Sequence, residues 1–317
     1  MPLPSQAQVH AVDVPLSNVS QSIMQSEELY GTSRQVFPPV SVDKQSNKYY
    51  VWDQADFFRS DAQKRAAGAE SAGSGLRLST DQYFCTVWAS HFDIDHITRA
   101  NADAGIDLDR GAVAKVTRDI LIKEDQDWAA EFFVTGKWNS SAGPVNGLWS
   151  NVNSTPIEDM RARYYTMAQN TGTPPNTITL GANVYKALQD HPDFLDRIKY
   201  TQRGIVTKDL IAAVLDMERC LVLFGVANTA VEGPATGTYS FNAASHALLT
   251  FSPSGPSLYA AAAGYTFQWN SPMNSGFPIA ISRFSIDERK VERIEGETAF
   301  DNKLVAAALG ELILTAA

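Results

Sequence analysis

The stretch from Asp107 to Gly136 constrains the fold of this chain more than any other. Between Asp107 and Val134 there is no proline, and the one internal glycine, Gly111, lies near the start. Ala112, Val113, Val116, Ile120, Leu121, Trp128, Phe132 and Phe133 recur at spacings of three and four, the period of a helix. Asp107 or Asp109 suits the N-cap, because a short carboxylate accepts the free N–H groups of a first turn. Gly136 suits a left-handed stop after the last turn. The predicted helix, about 107–135, would be on the order of 40 Å long. Its middle, Lys123 to Asp127, interrupts the apolar stripe. Such a helix reads either as an ordinary core helix or as a strut on which other pieces lean.

What surrounds the strut depends on how much core the chain can build. At 317 residues it can form one large or two smaller domains. Its 44% apolar and 19% charged residues are those of a folded protein. A net charge of −9 argues against a dedicated nucleic-acid binder, and Lys64-Arg65 is the one evident seed of a basic patch. Cys85 and Cys220 sit far apart in apolar runs, which predicts two buried free thiols and no zinc site. The N-terminal residues lack the pattern of a secretory signal, and no run approaches eighteen apolar residues, so no membrane span is expected.

Residues 1–45 are punctuated by Pro2, Pro4, Pro15, Pro38 and Pro39 and are poor in core residues; Ser20 to Tyr30 is their one stretch with helical character. They read as an arm lying on something else, or as a frayed tail. From 46 to 90, Tyr49 to Trp52 and the alternating Tyr83, Cys85 and Val87 are strand-like. The limbs flank a soft tip, Arg65 to Gly75, forming a long hairpin that need not pack on its own domain. The carboxylates of His91 to Gly111 fail the calcium-loop pattern: counting from Asn101, the sixth position is Ile106, where glycine is required. Helix capping and solvated turns account for them. Thr155-Pro156-Ile157-Glu158 is a capping box opening a helix with Met160, Tyr164 and Met167 on one face, which Gly172 ends.

From Asn176 strand and helix alternate: Thr177 to Gly181, a helix with Val184 and Leu188, another with Phe194 and Ile198, a helix capped by Thr207, then a buried strand from Cys220 to Phe224. A Gly/Pro/Thr-rich loop, Glu232 to Thr238, follows. The remainder is strand-rich. Tyr265, Phe267 and Trp269 alternate with Thr266 and Gln268, the cleanest period-two signal in the chain. Candidate strands lie at His246 to Phe251, Ile279 to Ile281, Val291 to Ile294 and Leu309 to Leu314.

The motifs of common catalysis are missing from the sequence. There is no G-x-S-x-G, no phosphate loop, and no G-x-G-x-x-G between a strand and a helix. His191, before Pro192, reads as a helix-end residue near the carbonyl dipole rather than a general base. No catalytic residue, cofactor or metal is expected.

The local phrases, in their order, resemble the major capsid proteins of tailed phages, which have the Hong Kong 97 fold. They are Pro175-Asn176-Thr177-Ile178-Thr179-Leu180-Gly181, then Val184, Leu188, His191-Pro192, Arg197 to Tyr200, Thr207 with Leu210, and Val222 with Gly225 and Ala227. Gly264 to Trp269 is similar to that family's late Phe-Thr-Trp strand. Tyr49 to Trp52 and Asn101-Ala-Asp103 resemble one branch of it. The likeness runs from about residue 36 to 317. It implies an α+β fold: an N-terminal arm at 1–45, an extended loop at 46–90 lying over an adjacent subunit, and a peripheral domain at 91–173 with the spine helix. An α/β axial domain at 174–262 would meet its symmetry mates, and strands at 263–317 would complete the peripheral domain.

The resemblance implies a structural protein, not an enzyme. It would assemble with itself into hexamers and pentamers of an icosahedral head in the bacterial host cytoplasm. The head would enclose double-stranded DNA that it touches only non-specifically, in keeping with the negative charge. Partners would be a separate scaffold, a portal and decoration proteins, with no membrane. The expected inter-subunit residues are Lys64, Arg65 and Glu70 at the loop tip and Glu232, Gly233, Pro234, Thr236 and Thr238 at the axial tip. Some members cross-link a loop lysine, for which Lys64 is the nearest counterpart. The alternatives are an encapsulin-like compartment shell and, from another class, a soluble α/β enzyme with a scattered site.

Overall fold

The computed structural model describes residues 13–26, 30–52, 60, 62–73, 78–102, 107–198, 205–228, 238–256, 262–270 and 278–317. Helix α1 (Val14–Ser26) and α2 (Thr32–Val36) open it, followed by β1 (Pro39–Val42), β2 (Ser46–Trp52), β3 (Leu78–Phe84) and β4 (Thr86–Asp95). Helix α3 (His96–Ala100) precedes the long α4 (Leu108–Phe132). Then come β5 (Ser140–Ala142), α5 (Pro156–Thr171), β6 (Thr177–Gly181), α6 (Ala182–Gln189), α7 (Pro192–Ile198), α8 (Lys208–Val214) and β7 (Arg219–Leu223). The rest is β8 (Val226–Asn228), β9 (Tyr239–Phe241), β10 (Ala247–Thr250), β11 (Gly264–Trp269), β12 (Ala280–Ile286), β13 (Val291–Leu304) and β14 (Gly310–Ile313).

Helix α4 is the strut the sequence predicts. Asp107 is its N-cap and accepts from the Arg110 N–H. It ends at Phe132, three residues short of expectation; the Trp138 indole N–H covers the Phe132 carbonyl at 2.8 Å, and left-handed Gly136 lies in the turn beyond. At 1.5 Å per residue its 25 residues span about 37 Å. The two ends serve two different cores. Ala112, Val113, Val116 and Ile120 pack with Ile94, Ile281 and Ile294 of the first sheet. Trp128, Ala129 and Phe132 pack with Leu223, Leu248 and Leu312 of the second.

In the first sheet the order is β1-β11-β13-β12, with β4 along the other side of β13. The second runs β5-β14-β10-β6-β7, in which β6 and β7 are parallel and α5 to α8 supply the covering core. Two ribbons, β2–β3 and β8–β9, stand apart from both sheets. The strands of 263–317 divide between the sheets: β11 to β13 lie in the first, whereas β14 pairs antiparallel with β10 in the second. A short apolar strand carries no sign of which sheet it joins, because the pairing partner lies some sixty positions away.

Strand β11 differs from its sequence signal. Period two predicts one wet face, yet Thr266 and Gln268 are buried as fully as Tyr265 and Phe267. Their polar groups are bonded inside the protein: Thr266 Oγ1 lies 2.6 Å from Asn302 Oδ1, and Gln268 Nε2 donates to the Pro278 carbonyl. Alternation here separates an apolar buried face from a polar buried one.

The polar waist of α4 is not solvated. Glu124 and Asp125 are almost wholly buried, covered by residues 31–34 of the N-terminal arm. Asp125 accepts the backbone N–H groups of Gly31 (2.8 Å), Thr32 (3.3 Å) and Ser33 (3.0 Å), acting as an outside N-cap for α2. Arg34 Nε bonds both oxygens of Glu124, at 2.8 and 3.0 Å. Only the outer waist residues, Lys123 and Asp127, form an exposed ion pair. The described part of the arm thus lies on its own chain. Asp13 caps α1, whose Leu16, Val19 and Ile23 pack on the first core, and β1 adds parallel to β11. Helix α1 begins at Val14, six residues before the Ser20 to Tyr30 stretch in which the sequence showed helical character, and ends at Ser26.

The helix α5 starts at Pro156 as expected, but not through a capping box. Thr155 Oγ1 accepts from the Asn146 amide, and the Ile157 N–H is taken by Asp193 of α7. Met160 and Met167 are buried and Gly172 ends the helix in the left-handed region, as predicted.

Candidate assembly surfaces

The β2–β3 ribbon is held at its base. Tyr83 stacks on Phe267 with ring centres 4.5 Å apart, and Tyr49 packs on the same ring at 5.1 Å. Tyr49 Oη lies 2.9 Å from the Leu304 carbonyl, and the Phe84 N–H donates to Asp301. Burial pushes the Tyr49 phenol well above its usual range, with the Asp81 charge adding to the rise. The expectation that the hairpin has nothing of its own to pack on therefore fails at the base. At the tip it stands: residues 62–73 are all exposed, Lys64, Arg65 and Glu70 among them.

Of the other expected group only Thr238 is described, next to the second ribbon. Glu232, Gly233, Pro234 and Thr236 lie outside the described residues. Thr238 is exposed, and its N–H donates to Asn228 Oδ1 across β8–β9. Lys64, Arg65 and Glu70 lie between β2 and β3, whereas Thr238 adjoins β9. Several highly exposed apolar side chains were not anticipated from the sequence. Tyr239 is 71% exposed at this ribbon, Ile97 is 69% exposed after β4, and Val145 is 74% exposed in the loop after β5. Phe84, Val87 and Phe92 add to the β4 side. Single exposed apolar groups are ordinary, but several along one strand and its ends suit contact with another chain. The available signal was apolar residues on both parities of β4, which one buried face cannot absorb.

The acid-rich segment before α4 is more than capping and solvated turns. Arg99 and Arg283 both pair with Asp109 and Glu292, tying α3, α4, β12 and β13 into one cluster. Asp93 is held bidentately by Arg293. Hydrogen bonding to Arg99 draws the Asp109 carboxyl below its usual range, and Arg293 does the same for Asp93.

His191 is buried, with Nε2 3.1 Å from both Ser154 Oγ and the Asn151 carbonyl. A serine beside a histidine suggests a nucleophile and its base, but the polarity is reversed. His191 Nδ1 accepts the Asp193 backbone N–H, so the ring hydrogen is on Nε2, facing the Asn151 carbonyl. That nitrogen has no lone pair for a serine proton. The carbonyl of His191 accepts from Phe194 and Leu195, so it caps the start of α7 instead of closing α6 as its sequence position suggests.

Cys85 and Cys220 are free and buried, as predicted, and burial pushes each thiol up to about 12. Neither is expected to react with a disulfide reagent in the native protein at pH 8; both should react in denaturant, counted by released thiolate absorbance.

No family model matches the chain. The major capsid protein of Burkholderia phage BcepMu is 23% identical over 225 residues, which cover 68% of this chain and 70% of that protein. A phage-related protein from Bordetella bronchiseptica RB50 superimposes with a TM-score of 0.75 at 20% identity, over 98% of this chain and 99% of that one. The capsid of cyanophage P-SCSP1u superimposes at 0.56 with 11% identity, over 88% and 86%. Fold and sequence agree on one kind of protein: the chain has the Hong Kong 97-type capsid fold and is a structural capsid subunit similar to those of phages.

Proposed function

We propose that this chain is the major subunit of a tailed-phage or prophage head, assembling in the host cytoplasm into hexamers and pentamers around double-stranded DNA. The observation that carries this reading is the β2–β3 ribbon, fixed at its base to β11 and exposed throughout residues 62–73. A ribbon built this way is positioned to reach across a neighbour, and its surface becomes buried only in an assembly. The same logic assigns the second sheet and its β8–β9 ribbon to the capsomer centre and the first sheet with α4 to the periphery. The phage relative favours a head over a compartment that houses enzymes. A net charge of −9 suits a shell that holds DNA without binding it tightly. Scaffold and portal are separate proteins in this reading.

Negative-stain microscopy and light scattering of the expressed chain, alone and with the product of the neighbouring gene, test it. Shells, tubes or capsomer rings are expected. A compact dimer that persists at high concentration under both conditions would exclude the reading. Reversing the tip charges, Lys64→Glu with Arg65→Glu, should lower the yield of assembled particles. It should leave subunit stability within about 0.5 kcal/mol of the parent, as for exposed substitutions generally.

A further inference from the structure

The segment Tyr30–Phe37 touches more of the molecule than its eight residues would need for a simple connection. Tyr30 Oη reaches the Val226 carbonyl at 3.4 Å, beyond the end of β7. Gly31 to Arg34 bond Asp125 and Glu124 on α4. Ser252, after β10, donates to the Val36 carbonyl at 2.7 Å and lies 3.2 Å from that of Gln35. Phe37 is fully buried edge-on to Trp128 and Phe132, and its carbonyl lies 3.2 Å from Thr266 Oγ1 of β11. The segment is thus bonded at once to the strut, to the first sheet and to the second.

It is also built to come away as a unit. Helix α2 has five residues, too few to persist unaided. Its entry, Gly31, is left-handed at φ +84°, a conformation glycine adopts without strain and leaves as easily. Its polar attachment to α4 is through two buried carboxylates, which regain water when the segment lifts. Lifting therefore exchanges protein hydrogen bonds for hydration, and mainly Val36 and Phe37 lose apolar contact.

We propose that Tyr30–Phe37 is a latch: docked, it fixes how the two sheets are posed on the strut, and it opens locally without unfolding either sheet. This does not depend on the shell reading. It places a conformational control point in the arm, where the chain crosses between the two cores.

Native-state hydrogen exchange of the full chain tests the first half. Peptides covering residues 30–42 should exchange by an opening separate from, and easier than, that of β6, β7 and β10. Ser252→Ala, a mild variant, should speed the 30–42 peptides roughly tenfold and leave those strands unchanged. If the arm and strands share one rate and shift together, the segment is plain core and the latch is wrong. Spin labels at Ala89→Cys on β4 of the first sheet and Ala213→Cys on α8, which packs on the second, both exposed positions, test the second half, with the native cysteines buried. Asp125→Asn should broaden the distance distribution, and Ser252→Ala should do so to a smaller degree if the stronger variant does not fold. A distribution as narrow as the parent's in a variant whose 30–42 amides have opened would overturn the control of pose.

Discussion

Asp125→Ala is expected to destabilise the protein by about 3–5 kcal/mol, although the residue lies in what the sequence presents as the most polar stretch of α4. Alanine leaves the N–H groups of Gly31, Thr32 and Ser33 without the carboxylate that accepts them. A five-residue helix has no means of holding them. Undocked, the segment also strands Arg34 away from Glu124 and withdraws Phe37 from the aromatic cluster. One effect opposes the loss. Burial is the larger influence on the Asp125 carboxyl and raises it above its usual range, while the Ser33 and Gly31 N–H groups draw it down. Removing the group relieves that desolvation, which keeps the net effect well below the sum of the separate bonds. Urea unfolding of Asp125→Ala beside Asp127→Ala checks the expectation. Asp127, two residues on, is in a partly exposed ion pair with Lys123, and its loss should cost no more than about 0.5 kcal/mol. Equal effects would mean that the arm contributes nothing to stability.

Gly181→Ala should be still more damaging, on the order of 4 kcal/mol or more, which for a marginally stable fold means little soluble protein. The backbone at Gly181 is ordinary, with φ −67° and ψ 155°, so any residue could adopt it. Space is the obstacle. A Cβ there would sit 2.2 Å from the Ala243 carbonyl oxygen and 2.3 Å from that of Ala244. Both are main-chain atoms and cannot rotate aside as a side chain would. They belong to the turn that brings the chain into β10, and Gly181 N–H already bonds the His246 carbonyl across the same gap. Making room would part β6 from β10 in the middle of the second sheet. Gly255→Ala is the control: a Cβ there meets nothing within 4 Å, and it should melt within about 0.5 kcal/mol of the parent.

Helix α4, the helices after Pro156 and Thr207, the strands β6 and β7 and the buried thiols were legible in the sequence. Each is written in a local signal: a cap, a period or an apolar run. Exposure was legible only in part. Lys64, Arg65 and Glu70 are exposed between β2 and β3, in the stretch the sequence presents as soft and charged, but the exposure of Tyr239, Ile97 and Val145 went unread. An exposed tyrosine or valine has the same letter as a buried one. The acid pair shows the opposite failure. Glu124 and Asp125 look like solvent-facing charges because nothing within α4 satisfies them. Their partners, Gly31 to Arg34, are about ninety residues away.

The sequence by itself determined the elements and, through its ordered phrases, the kind of protein. Residues three, four or two apart meet on one face whatever the rest of the chain does. Tertiary structure alone decided that the arm docks on its own strut, that β14 joins the second sheet, and that the polar face of β11 is buried. Those outcomes depend on which distant backbone or side-chain groups satisfy buried polar atoms and unpaired strand edges. Pairings of that kind leave no periodic mark in the chain.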